Sequence, residues 1–325
     1  MRTTFITYAK VTNREGKPYF LSAGNRLRLV PAYNALAEAG FTPTIFGSAE
    51  ESEIISAVQF QKADQIVFGK MIKPMHRLLE ACRDSGKRVI FDICDDPWDY
   101  AELHEMIPLA AQADFCTASS EGLAGKLRAQ LGVPVSVVSE PPDSAYGKPA
   151  LAPKDSLLRL AWYGSSTNAA SLTGIADTLA PLTADRRVEL TIFSSFKSSF
   201  DAILASSSPD FVIRFEEWVP DYQDKILAET DLVLLPKRND GRSELKSANR
   251  LVTAIAAGRL AIASPIPSYQ SLAEWSVLTN DFLGGIQDVL ARPDFYLDKL
   301  HQGQAYTRLK YDLPVIEAEW KALLT

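Results

Sequence analysis

The chain has 325 residues, more than one hydrophobic core usually covers, so two domains are expected. Hydrophobic residues make up 46% and charged residues 23%, a globular composition that excludes a disordered chain. The formal net charge of −6 argues against a dedicated nucleic-acid binder but leaves room for a local basic pocket that takes a phosphorylated ligand.

The N-terminal stretch MRTTFITYAK holds no apolar run long enough for a signal peptide or a membrane span, which gives a cytoplasmic expectation. Thr4–Tyr8 reads as a strand, followed by a loop through Gly16, Pro18 and Gly24. A helix is expected from about Asn25 to Ala39, with Gly40 as its stop. Further strands fall at Thr44–Phe46, Gln65–Phe68, Arg88–Asp92, Phe115–Thr117 and Val135–Val138. Helices at Glu50–Phe60, Lys73–Ser85 and Glu121–Gln130 separate them. Strands alternating with helices on short loops imply right-handed βαβ units and a parallel sheet covered on both faces.

Between Glu140 and Leu157 the rhythm breaks, and Pro141, Pro142, Pro149 and Pro153 mark a linker. Beyond it the pattern restarts with strands at Leu158–Tyr163, Val188–Phe193, Phe211–Arg214, Asp231–Leu235 and Leu260–Ala263. Helices are expected at Ala169–Leu182, Tyr222–Glu229 and Lys246–Ala257, and the region from about Gln287 is helical to the end. The expected fold class is therefore α/β, with two doubly wound Rossmann-like domains, residues 1–145 and 146–325, facing a cleft. The last helix is free to cross back to the first domain. Ligands of such sheets bind beyond the carboxyl ends of the strands.

Four segments stand there. Trp162 to Asn168 runs from a strand through Gly164 and Ser165 into a helix, a turn that suits either an anion at a helix N-terminus or ordinary capping. Trp218 and Val219 follow a strand, where the ring can meet a base or pack as core. Lys237, Arg238 and Arg242 precede a helix opening with Lys246, Asn249 and Arg250, three residues that share a face if the helix starts there. Cations at a helix start oppose the macrodipole, and a bound phosphate resolves the conflict. Asp92, Asp95, Asp96 and Asp99 form an acidic loop able to orient hydroxyls, act as a base or simply make a turn.

The remaining titratable groups carry less. Cys82, Cys94 and Cys116 lack metal or redox spacing and read as buried hydrophobes. His301 reads as structural, and His76 and His104 are either surface residues or bases near neutral pH. No Gly-x-Gly-x-x-Gly follows a strand, which disfavours a nicotinamide dehydrogenase. A periplasmic solute-binding protein would need an export signal.

The stretches WVPDYQDKILAETDLVLLP and KSANRLVTAIAAGRLAIAS, spanning Trp218 to Ser264, resemble the C-terminal domain of GT-B glycosyltransferases of the group 1 (GT4-like) type. SAGNRLRLVPAYNALAEAG resembles the first glycine loop and helix of that family, and ADQIVFGK and GKRVIFDICDD resemble later strands. The resemblance implies transfer of a sugar from a nucleotide-activated donor to an acceptor hydroxyl, without a metal and with no cofactor beyond the nucleotide sugar. The acceptor class it implies is a glycan, glycoconjugate or small molecule. A binding-only relative of the same fold is the alternative.

On that resemblance, Lys246 and Arg250 contact the diphosphate, Arg242 and Asn249 support them, and Gly164 and Ser165 approach by backbone. Trp218 and Val219 meet the base. Gly24 and Asn25 line the acceptor side, and Asp95 or Asp96 serves as base. The sequence departs from the family at one place: the two glutamates expected eight positions apart are replaced by Leu245 and Thr253, with Glu244 next to the first.

Overall fold

The computed structural model describes residues 1–48, 50–70, 74–99, 103–151, 156–237 and 244–325. The chain divides into two compact units. Unit 1 comprises Met1–Pro141, Glu244–Ser247 and Leu313–Thr325, and unit 2 comprises Pro142–Ser243 and Ala248–Asp312.

Unit 1 is built on six parallel strands: β1 (Thr3–Thr7), β4 (Thr44–Gly47), β5 (Gln65–Gly69), β6 (Arg88–Ile93), β7 (Phe115–Ala118) and β8 (Val135–Val137). Their order is β4-β1-β5-β6-β7-β8, so the winding reverses between β1 and β5. Alternate residues of the apolar strands feed two cores. Ile6, Ile66, Phe68 and Phe91 belong to one, and Phe5, Val67, Ile90 and Phe115 to the other. Burial on both faces is what a parallel sheet requires. The C-terminal helix Leu313–Leu324 completes the second core with Ile316, Trp320 and Leu324, and Gln65 Nε2 donates to the Leu324 carbonyl at 2.9 Å.

A short antiparallel hairpin, β2 (Thr12–Arg14) and β3 (Lys17–Tyr19), occupies the stretch expected to be loop. The hairpin, the edge strand β4 and Tyr33 line a cavity of 350 Å³.

Unit 2 carries β9 (Leu157–Tyr163), β10 (Arg187–Ser194), β11 (Phe211–Glu217), β12 (Leu232–Leu235), β13 (Leu260–Ala263) and β14 (Val277–Leu278), all parallel. The order β11-β10-β9-β12-β13-β14 reverses between β9 and β12. This is the doubly wound arrangement of dinucleotide-binding folds. Only Leu232 with Leu160 and Val233 with Ala161 pair across the reversal, so the two strands part before their carboxyl ends.

Several expected elements differ in extent. The helix expected over Lys246–Ala257 begins at Asn249, so Lys246 lies outside it and shares no helical face with Asn249 and Arg250. The helix expected over Glu50–Phe60 is split at Ala57, whose ψ of 137° is extended. That expected over Ala169–Leu182 is a 3₁₀ turn, a short α-helix and a second 3₁₀ turn, broken at Gly174 with φ 74°. The strand expected over Phe211–Arg214 runs on through Glu217.

Candidate active site

Each sheet offers a crevice where its strand order reverses, and each crevice collects charged residues from loops that follow the strands. In unit 1 those loops follow β1, β5, β6 and β7. Arg28, wholly buried, donates from Nε and Nη2 to Asp92 at 2.7–2.9 Å and from Nη1 to the Val138 carbonyl at 2.6 Å. Thr117 Oγ1 donates to the same carboxylate at 2.7 Å, and the guanidinium lies 5.4 Å from the Trp320 ring centroid. Burying a charge pair is costly unless both partners are fully hydrogen-bonded, and this one is built that way.

Toward the surface of the same unit, Asp95 receives two ammonium groups. Lys246 Nζ lies 2.7 Å from Oδ1 and Lys70 Nζ 3.6 Å from Oδ2, with the side chain of Asp95 30% exposed. Burial pushes the Asp95 carboxyl up, but the two lysines outweigh it and hold the group below its ordinary range. A carboxylate so stabilised is a weak general base and a good orienting group. Lys70 has φ 42°, a strained conformation for a lysine, and Gly24 makes room for its stem: a Cβ there would stand 2.7 Å from Lys70 Cδ.

Asn25 is buried and accepts from Thr7 Oγ1 at 3.2 Å. Asp96 is 4% exposed, accepts from Lys126 Nζ at 2.7 Å and from the Trp98 backbone N–H at 3.1 Å, and so closes its own turn. The segment Glu244–Ser247 is anchored in unit 1 by three further contacts. Ser120 Oγ donates to the Leu245 carbonyl at 2.8 Å, Leu245 packs beside Gly122, and Ser247 Oγ donates to Glu140 at 2.6 Å. Burial raises the Glu140 carboxyl above its ordinary value, against the opposing pull of Arg28 and Ser247.

In unit 2 the crevice between β9 and β12 holds Gly164, Ser165, Lys237 and the start of the helix Asn249–Ala256. Arg250 Nη1 donates to the Tyr163 carbonyl at 3.4 Å, and a Cβ on Gly164 would stand 2.8 Å from that nitrogen. Tyr163 returns a hydroxyl hydrogen bond to the Arg250 carbonyl. Ser165 caps the following 3₁₀ turn by accepting from Thr167 N–H at 3.4 Å, so the capping reading of that residue holds. The helix has no side-chain cap at Ala248 and no acid in its first turn. Its first N–H groups and Arg250 thus form a site suited to an anion.

Two neighbouring loops join this rim. Ser194 Oγ donates to the Gly164 carbonyl at 2.6 Å, and Trp218 N–H to the Ser194 carbonyl at 2.8 Å. Trp218 Nε1 donates to Gln223 Oε1 at 2.9 Å, and the ring is partly buried against the core, which is the packing role rather than an open base-binding face. Val219 stays 47% exposed. Arg242, with Arg238, lies outside the described residues.

Known structures share this architecture. HepE from Anabaena in complex with UDP-glucose superimposes with a TM-score of 0.69 at 13% identity, over 100% of this chain and 99% of that one. An E. coli trehalose-6-phosphate structure bound with UDP-2-fluoro glucose gives 0.62 at 9% identity, covering 99% of both chains. AviGT4, a glycosyltransferase involved in avilamycin A biosynthesis, gives 0.57 at 12% identity over 99% of this chain and 97% of its own. The fold is GT-B. No family model matches the chain, and no curated protein matches it in sequence.

Within this GT-B fold, the departure at Thr253 acquires a structural reason. Thr253 is fully buried, its Oγ1 accepts from Asp143 N–H at 2.9 Å, and its carbonyl accepts from Ser144 Oγ at 3.2 Å. The residue fastens the incoming chain of unit 2 and is spent on that. Lys70, Arg28 and Glu140 are absent from the sequence-derived site. A lysine beyond a strand and an arginine inside a helix carry no local signal, because their partners Asp95, Asp92 and Val138 lie 25 to 110 residues away within unit 1. Among the described residues no helix is long and apolar enough to cross a membrane.

Proposed function

We propose that the protein is a glycosyltransferase of the group 1 (GT4-like) type that moves a sugar from a nucleotide-activated donor to an acceptor hydroxyl. The observation that carries this reading is Arg250, held against Gly164 at the uncapped start of the helix Asn249–Ala256, in the crevice between β9 and β12. The UDP and UDP-glucose complexes among structures of the same fold support a nucleotide sugar as the donor.

The leaving nucleoside diphosphate gains negative charge as its bond to the sugar's anomeric carbon breaks and the acceptor oxygen bonds to that carbon, the acceptor's proton leaving with the diphosphate. Arg250 and Lys246, with Arg242 and Asn249 in support, and the helix N–H groups stabilise that charge in place of a metal ion. Gly164 and Ser165 approach by backbone, and the backbone at Trp218 and Val219 meets the base. Ribose is recognised without a carboxylate at position 253, since Thr253 is engaged with Asp143. In unit 1, Gly24 and Asn25 flank the acceptor, and Asp95 orients its hydroxyl. Asp96 supports the turn that positions Asp95. The acceptor is a glycan, glycoconjugate or small molecule, and the setting is cytoplasmic.

A binding-only relative is the second reading, favoured by the loss of both family glutamates at Leu245 and Thr253. Thermal shifts with UDP, GDP, ADP, CMP and their sugar conjugates test the donor site. A nucleotide at 100 times its dissociation constant adds about 2.7 kcal/mol of stability. A shift with one nucleotide that disappears in Arg250→Ala supports the reading, and no shift with any of them removes it. Acceptor-dependent release of the nucleotide then separates the enzyme from the binder.

A further inference from the structure

β10 and β11 run parallel with Ser194 opposite Glu217. That is the last pair of the two strands, and two residues beyond it the chain after one strand reaches Phe196 and the chain after the other reaches Val219. Both are apolar and open to solvent, Phe196 to 73% and Val219 to 47%. Phe196 also has φ 55°, a left-handed conformation that a bulky aromatic residue adopts only under constraint. A ring this exposed adds little to the core. Phe196 precedes the 3₁₀ turn Lys197–Phe200 and accepts from Ser199 N–H at 2.9 Å, and Ser194, two residues before it, is tied to both Gly164 and Trp218. The loop is thus fixed to the same rim as Gly164 and Arg250.

We propose that Phe196 is a binding residue that stacks on the base of the nucleotide donor, with Val219 against the edge of the same base. This rests on the donor-site reading above and adds to it the residue that supplies affinity for the nucleoside part. Stacking uses the π-face common to all bases, so Phe196 raises affinity for the nucleoside without touching the phosphates. Holding the ring outward before ligand arrives avoids ordering it on binding, which is the gain that offsets the strained backbone.

Calorimetric titration of the full chain with UDP, GDP, ADP and inorganic pyrophosphate tests the assignment, using wild type, Phe196→Ala, Phe196→Tyr and Phe196→Gly. The glycine variant suits a positive φ and removes the ring without disturbing the loop. The nucleotide that wild type binds should bind about tenfold more weakly to the alanine and glycine variants. Affinity in the tyrosine variant and pyrophosphate affinity in all variants should stay at wild-type values. Unchanged nucleotide affinity in Phe196→Ala overturns the stacking role, as does an equal loss of nucleotide and pyrophosphate. Wild type that binds pyrophosphate but no nucleotide overturns the donor-site reading itself, and the stacking role with it.

Discussion

Lys246 Nζ stands 2.7 Å from Asp95 Oδ1, a pairing across 151 residues of sequence that places the lysine in unit 1 while Arg250, four residues on, belongs to unit 2. If Lys246 serves an anionic ligand, that ligand competes with Asp95 for it. Asp95→Asn should therefore tighten nucleoside diphosphate binding. The pair is partly exposed, so the gain is about fivefold or less. Isothermal titration of Asp95→Asn alone and combined with Lys246→Met checks this, the gain being confined to the single variant. An equal gain in both would remove Lys246 from the ligand's surroundings.

Arg250 should matter more. Losing a charge-assisted hydrogen bond to a phosphate costs about 1.5–3 kcal/mol, so Arg250→Ala should weaken nucleotide binding by roughly tenfold to a hundredfold. Gly164→Ala should act through the same group, because its Cβ would displace the guanidinium from 2.8 Å. Gly164 has φ 158°, a conformation side chains rarely adopt, so the variant should lose some thermal stability as well as binding. A fall in melting temperature without loss of binding would assign Gly164 to packing alone.

The Arg28–Asp92 pair should dominate the stability of unit 1. Both side chains are almost wholly buried, at 0% and 2% exposed. Removing one partner leaves the other uncompensated, a loss of about 3–5 kcal/mol. Arg28→Met and Asp92→Leu should each lower the urea midpoint strongly, and the double variant by less than their sum. Additive losses would show that the two charges are satisfied independently.

Glu140 gives a pH dependence of defined sign. Its folded-state pKa lies above the unfolded value, with burial as the main cause. The stabilising contribution of the protonated group is therefore present below the unfolded pKa and is lost as pH rises through the folded one. Glu140→Gln keeps an acceptor for Ser247 Oγ and cannot ionise. Its melting temperature should exceed that of wild type at pH 8, and the difference should shrink toward pH 4. A constant difference across that range would exclude titration of Glu140 as the cause.

Thr253→Glu, which restores the family's glutamate, should not restore ribose recognition. The position is fully buried and its hydroxyl accepts from Asp143 N–H, so a carboxylate there is both oversized and desolvated. The expected result is a lower melting temperature with no gain in nucleotide affinity. Tighter nucleotide binding would show that the chain at Asp143 yields to make room.

The sequence by itself determined the two parallel sheets. Apolar runs such as Gln65–Gly69 and Leu232–Leu235, spaced by amphipathic helices, leave no other way to bury both strand faces. It also singled out Gly164 and Arg250, because a glycine after a strand and a cation at a helix start are local signals. Two things were decided only by tertiary structure. Helical periodicity continues through the Lys-Ser-Ala segment and predicts Lys246 inside the helix, yet contacts of Leu245, Lys246 and Ser247 with Gly122, Asp95 and Glu140 draw that segment into unit 1. Lys70 is brought to Asp95, and Thr253 is engaged with Asp143, by an ion pair and a hydrogen bond between residues far apart in the chain. Helix and strand propensities act over a few residues, whereas the charge partners that give these side chains their roles are fixed only when the strands have found their order.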